Sequence, residues 1–211
     1  MKILVVDDHK MMRDGLTSLL EHEGLTVVGE CGDGHEAVDL ARRLRPDVVV
    51  MDLAMPGLNG VDATRQLVAD LPGVKVLALS AHSDRRDVVA MFQAGAVGYV
   101  LKSSAAKELL EAVRAIGTGL TYVSPAVAAI VVSNCVTPGS PTQPGKRLSP
   151  RERQVLQLLA EGNSSKDIAR TLNLAVTTVE THRRQIMDKL NVRTVAELTK
   201  YAIREGLTSL E

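Results

Sequence analysis

The sequence predicts a doubly wound α/β domain on a five-stranded parallel sheet, followed by a small all-α domain of four helices. Three observations carry this. Strand-like and helix-like stretches alternate five times between Met1 and Gly117, the rhythm of parallel strands joined by crossover helices. The run Val48-Val49-Val50-Met51 is apolar throughout and mostly β-branched, as a strand covered on both faces requires. Beyond residue 146, apolar residues recur at spacings of three and four with no strand pattern among them.

The strands are expected at Lys2–Val6, Leu25–Gly29, Asp47–Met51, Lys75–Leu79 and Gly98–Leu101. Helical patterns lie between them, such as Ala37, Leu40, Ala41 and Leu44 with charges on the opposite face. From Thr118 the pattern changes. Ser124-Pro125 opens a short apolar segment to Val132, and Thr137–Gly145 is a Pro/Gly/Ser/Thr run without periodicity. Residues 118–146 are therefore expected to be a linker with a short helix, between domains at 1–117 and 147–211, and its composition would let the two reorient. Ser149-Pro150-Arg151-Glu152 then combines an N-cap serine, a proline at the first helical position and an early acid. That helix should run through Ala160, with others at Ser164–Thr171, Ala175–Leu190 and Thr194–Glu205. The tight turn Leu172-Asn173-Leu174 suggests helix-turn-helix.

Composition narrows the class. A chain of 211 residues, 45% hydrophobic, is long enough for two cores. The zero net charge hides an asymmetry: residues 1–120 carry 13 Lys and Arg against 17 Asp and Glu, whereas residues 121–211 carry 12 against 8. A basic part joined to an acidic one suits a nucleic-acid reader tethered to something else. No apolar run approaches the roughly 20 residues of a membrane span, and Lys2–Val6 reads as a strand rather than a signal peptide. A cytoplasmic protein with no membrane partner is the expectation. Cys31 and Cys135 lack metal-ligand spacing, so reduced thiols are expected rather than a disulfide or zinc site.

The strand ends carry the chemistry. Asp7 and Asp8 follow the first strand, Asp52 the third, Ser80 the fourth and Lys102 the fifth. In one parallel sheet these groups converge on the carboxyl-end rim, where such sheets bind ligands. Hard oxygens in a partly open cluster suit Mg²⁺. A carboxylate beside it can attack a phosphoryl group, with Lys102 and Ser80 contacting the transferred oxygens. Taken singly, each residue also has a plain reading: helix cap, turn opener or solvated end.

Val5-Val6-Asp7-Asp8, Met51-Asp52 with Met55-Pro56 and Gly60, Ala78-Leu79-Ser80-Ala81 and Gly98-Tyr99-Val100-Leu101-Lys102 together resemble a bacterial response-regulator receiver, a flavodoxin-like fold. The resemblance implies phosphorylation of Asp52 by a sensor histidine kinase, metal ligation by Asp8, Asp52 and the Ala54 carbonyl in a pocket that includes Asp7, and switching through Ser80 and Tyr99. Tyr99 also reads as an aromatic closing the fifth strand. Two positions depart from the pattern. Ala54 places no side chain over the phosphoryl group, and Ser103 follows Lys102 where many receivers have proline.

The third carboxy-terminal helix shows an apolar stripe at Val179, Ile186 and Leu190 and a polar one at Thr177, Glu180, Thr181, Arg184 and Asp188. Outward Arg, Thr and Glu match base readout in the major groove, and Lys166, Arg183 and Lys189 would contact phosphates. A solvated face of an ordinary bundle is the alternative. Leu148-Ser149-Pro150-Arg151-Glu152-Arg153, Glu161-Gly162, Lys166-Asp167-Ile168-Ala169 and Thr178-Val179-Glu180-Thr181-His182 through Lys189-Leu190 resemble the LuxR-type helix-turn-helix of NarL/FixJ regulators. Gln154 stands where that family usually has Glu. The resemblance adds Thr178 and His182 to the DNA-facing set and gives the fourth helix a dimerising role, for which Val195, Leu198 and Ala202 form one face; core packing explains that stripe equally well.

These readings converge on a two-component transcription regulator that is not an enzyme. Its expected partners are a sensor kinase, promoter DNA, a second copy when phosphorylated or DNA-bound, and RNA polymerase. A phosphotransferase or phosphatase working through an aspartyl phosphate, and a constitutive DNA-binding protein with a vestigial receiver, are the competing functions. Ala54 opposes the first, because phosphatases of the haloacid-dehalogenase type place a second Asp there. The complete set Asp8, Asp52, Ser80 and Lys102 opposes the second.

Overall fold

A computed structural model describes residues 1–81, 83–104, 106–136 and 148–208. The chain forms two compact units, Met1–Thr137 and Pro138–Glu211.

In the first unit, β1 (Lys2–Val6), β2 (Thr26–Cys31), β3 (Val48–Asp52), β4 (Lys75–Ser80) and β5 (Gly98–Leu101) alternate with α1 (Lys10–His22), α2 (Gly34–Leu44), α3 (Gly60–Asp70), α4 (Arg85–Ala94) and α5 (Ala106–Gly117). All strand pairs are parallel, in the order β2-β1-β3-β4-β5 followed by β6 (Tyr122–Val123). Strand side chains alternate between two cores, as period-2 geometry demands. Leu4, Val6, Val49 and Met51 pack with α2, α3 and α4 residues, whereas Ile3, Val5, Val48 and Val50 pack with Leu16 and Leu20 of α1 and Leu109 and Val113 of α5.

The sixth strand corrects the expected five. Residues 118–136, expected to open a linker with a short helix, hold β6 as well as the helix α6 (Pro125–Val136). The Tyr122 amide bonds the Val97 carbonyl and the Ser124 amide bonds that of Tyr99, at 3.2 and 2.9 Å. Val127 lies in the core beside α4, with Ile130 and Val131 packed against it. Two residues are too few to show an alternating pattern, which is why the strand was invisible in the sequence. The Pro/Gly-rich run Thr137–Gly145 lies outside the described residues.

The second unit contains α7 (Pro150–Ala160), α8 (Ser165–Thr171), α9 (Val176–Leu190) and α10 (Val195–Arg204). Ser149 and Glu152 form the expected capping box, and Thr194 and Glu197 form a second. Asn173 turns the chain between α8 and α9 at φ 52°, a conformation that Asn tolerates better than most residues. Val155, Leu156, Leu159, Ile168, Val179, Ile186, Leu198 and Ala202 make one core.

Gly60 opens α3 against the end of β3. A Cβ there would lie 2.0 Å from the Asp52 carbonyl oxygen, so backbone rather than a flexible side chain must move. Gly60→Ala is expected to destabilise the first unit by about 1–3 kcal/mol, the usual cost of overpacking. Chemical unfolding measures this, and an unchanged midpoint would contradict the close approach.

The acidic pocket and the recognition helix

β1 and β3 are adjacent at the point where the sheet order reverses, so Asp7, Asp8 and Asp52 emerge where doubly wound sheets bind ligands. Ligand atoms of Asp7, Asp8, His9 and Asp52 lie within 4.8 Å of one another. Asp7 and Asp52 are buried. Lys102, from the end of β5, reaches between them: its Nζ donates to Asp52 Oδ2 at 2.8 Å and stands 2.7 Å from Asp7 Oδ2. The Asp7 contact is ionic, without hydrogen-bond alignment. Burial pushes the Asp52 carboxyl up to about 6, against the hydrogen bond and charge of Lys102 that pull it down. It is therefore mostly ionised at neutral pH. Burial would lower the Lys102 ammonium, but its hydrogen bond to Asp52 and the close Asp7 carboxylate hold it above its ordinary value.

The donors fit a hard divalent cation: carboxylates from three residues converge, and Asp8 Oδ1, shut off from solvent, has no hydrogen-bond partner among the described residues and lies 2.6 Å from His9 Nδ1. His9 was not singled out from the sequence. The signal was available, since it directly follows Asp7-Asp8. Ala54 is exposed, and its amide donates to Asp52 Oδ1 at a long 3.4 Å. Ser80 and Tyr99 are both buried. Burial pushes the Tyr99 phenol up to about 12, partly offset by its hydrogen bond with Ser80.

Residues 3–114 match the response regulator receiver domain family, and residues 146–202 match the bacterial regulatory proteins of the luxR family. This chain is a response regulator with a LuxR-type DNA-binding domain. It is 37% identical to the response regulator GacA of Pseudomonas aeruginosa over 98% of this chain and 97% of that one. It is 38% identical to the transcriptional regulatory protein LiaR of Bacillus subtilis over 99% of each. Among solved structures, a LuxR-family response regulator from Aurantimonas sp. SI85-9A1 aligns with TM-score 0.61 and 39% identity, covering 64% of this chain and 98% of that one. The RcsB response regulator–DNA complex aligns with TM-score 0.59 and 28% identity over 95% of this chain and 96% of that one.

In the response regulator's second unit, Thr177, Glu180, Thr181, Arg184 and Asp188 of α9 are exposed and Val179 and Ile186 are buried, so both stripes face as their spacing demands. Lys166 is exposed, and Thr178, His182 and Arg183 are partly buried. Glu180 accepts a short hydrogen bond from Ser165 of α8 and lies 3.9 Å from Arg183. Lys189 Nζ donates to the buried Glu152 at 2.7 Å, so this cation holds α9 to α7. For the stripe on α10, the core-packing alternative is the one observed. Leu198 and Ala202 are fully buried in the domain core. Their stripe packs inward, and Val195 alone of the three is exposed.

Burial would raise the Glu152 carboxyl, but Lys189 and the Ser149 cap hold it below the ordinary range. With a folded value below the unfolded one of about 4.5, the pair's stabilisation is complete above that pH and is lost as pH falls through the folded value. Lys189→Met should lower the second unit's stability at neutral pH by about 1–3 kcal/mol, the cost of removing a charged hydrogen-bond partner from a buried carboxylate that keeps only its Ser149 cap. It should also flatten the acid limb below pH about 4.5. Hydrogen exchange of α7 and α9 amides in the full chain reads this; unchanged exchange would show that the pair contributes nothing.

Proposed function

We propose that a sensor histidine kinase phosphorylates Asp52 and that this switches promoter binding by the second unit. The observation that supports it most is the buried Asp52 carboxylate, held by Lys102 opposite Asp7 and Asp8. An Asp52 oxygen attacks the phosphorus of a phosphohistidine; the new P–O bond forms as the P–N bond breaks, and the imidazole leaves with the electron pair and takes up a proton. Mg²⁺, held by Asp8, Asp52 and the Ala54 carbonyl beside Asp7, would neutralise charge on the transferring group. Lys102 exchanges its Asp52 oxygen for a phosphoryl oxygen. Ser80 donates to another, and its hydrogen bond with Tyr99 carries the change into the core. Ala54 supplies no acid or base for rapid turnover, which supports a regulator rather than a phosphatase.

On the DNA side, Arg184, Thr177, Thr181 and Glu180 read base edges, while Lys166, Thr178, His182 and Arg183 serve the backbone. The active form is a cytoplasmic homodimer on two half-sites about one helical turn apart, acting with RNA polymerase. No helix among the described residues is long and apolar enough to cross a membrane.

Asp52→Asn keeps the side chain's size and polarity but not its nucleophilic charge. Incubated with Mg²⁺ and a small acyl-phosphate donor, the wild type should gain one phosphoryl mass and the variant none; a full adduct on the variant contradicts the assignment. Arg184→Ala should cost about 1–3 kcal/mol on the preferred duplex and much less on one already altered at the contacted base. Uniform weakening across duplexes would make the stripe an electrostatic face instead.

A further inference from the structure

Arg13 lies in the first turn of α1 and reaches the backbone of the acidic pocket. Its Nη1 donates to the main-chain carbonyl of Asp7 at 2.6 Å and to that of Asp8 at 3.2 Å. Among the described residues no other donor reaches either oxygen. No carboxylate pairs with the guanidinium there, and its buried Nε has no hydrogen-bond partner. An arginine serving as counter-ion would face a carboxylate; this one spends its donors on backbone.

The two carbonyls belong to the peptide planes on either side of the Asp8 α-carbon. Each plane is rigid, so only the rotations between planes aim a side chain. One Nη1 bridging both carbonyls fixes how those planes stand to each other, and with them the direction of the Asp8 Cα–Cβ bond. The turn's other bonds act elsewhere: the His9 amide donates to Asp7 Oδ1 at 2.9 Å and His9 Nδ1 lies 2.6 Å from Asp8 Oδ1, so both restrain side chains, whereas Arg13 restrains the two peptide planes. Gly32, after β2, leaves room for the group: a Cβ there would lie 3.0 Å from Arg13 Nη1.

We propose that Arg13 is a positioning residue for cation capture, holding the Asp7–Asp8 turn so that both carboxylates face Asp52 before a divalent ion arrives. The proposal rests on the reading of the pocket as a Mg²⁺ site. Partners behind metal ligands are commonly worth about 10–100-fold in metal affinity. Simple electrostatics gives the opposite sign. A guanidinium near an acidic cluster repels Mg²⁺, so its removal should tighten binding if charge were its main role. The two accounts are therefore separable by direction alone.

The test is calorimetric titration of Mg²⁺ into unphosphorylated full-length wild type, Arg13→Ala and Gly32→Ala, with melting temperatures taken in metal-free buffer. Gly32→Ala leaves the arginine in place and crowds its guanidinium with a methyl group built 3.0 Å from Nη1, which must shift off the two carbonyls to relieve the contact, at a glycine whose φ is not positive. Both variants should bind Mg²⁺ about 10-fold or more weakly than wild type while melting close to it. If Arg13→Ala melts early, Gly32→Ala decides. Equal or tighter binding in the deciding variant, with wild type binding normally, overturns the positioning role and leaves the Mg²⁺ site standing. If wild type itself binds no Mg²⁺, the metal reading fails and the proposal falls with it.

Discussion

Two buried carboxylates on neighbouring strand ends, Asp7 and Asp52, are tolerable only because the Lys102 ammonium sits between them. Like charges in a medium of low polarisability raise each other's pKa, and burial adds to that. Without a cation, Asp52 would take up a proton and cease to be a nucleophile. The sheet supplies the geometry. β1 and β3 are adjacent, β3 pairs with β4 so that Asp52 stands opposite Leu79, and β4 pairs with β5 so that Ser80 stands opposite Leu101. Each register sets one member of the pocket, and slipping any strand by one residue would turn its terminal side chain to the other face.

The same reasoning explains what the sequence could and could not disclose. β1, β3 and β5 were legible because unbroken apolar runs ending in a polar group have few other readings. The convergence of Asp7, Asp52 and Lys102 followed from topology, although Lys102 lies 50 residues beyond its partner. β6 was not legible, since the two residues Tyr122–Val123 span a single period of strand alternation and so cannot show a repeat. The pairing of Lys189 was not legible because its partner Glu152 is 37 residues away on another helix, and exposed spacing alone cannot reveal such a pair. Leu198 and Ala202 show a related limit: periodicity says that a face is apolar, not what covers it. His9 could have been picked out, because it directly follows Asp7-Asp8. Arg13 could not, since its bonds go to the main-chain carbonyls of Asp7 and Asp8 and no spacing rule marks a side chain that holds a carbonyl.

The DNA-binding unit balances stiffness against reach. Two capping boxes and the Glu152–Lys189 pair anchor α7, α9 and α10, so α9 presents Arg184, Thr181 and Thr177 from a fixed frame. Glu180 is tied to Ser165. Reading a cytosine with that carboxylate requires exchanging one hydrogen bond for another, which favours specificity over raw affinity because a wrong base leaves the group better satisfied at home.

The account makes phosphorylation at the strand end the control of DNA binding at the other end of the chain. The direct measurement is the affinity of the full-length protein for its selected promoter duplex, at fixed salt, before and after treatment with Mg²⁺ and an acyl-phosphate donor, alongside Asp52→Asn treated identically. The account predicts that affinity rises on treatment of the wild type and stays at the untreated level in the variant. Equal affinity in all the samples, or an equal rise in the variant, would contradict it.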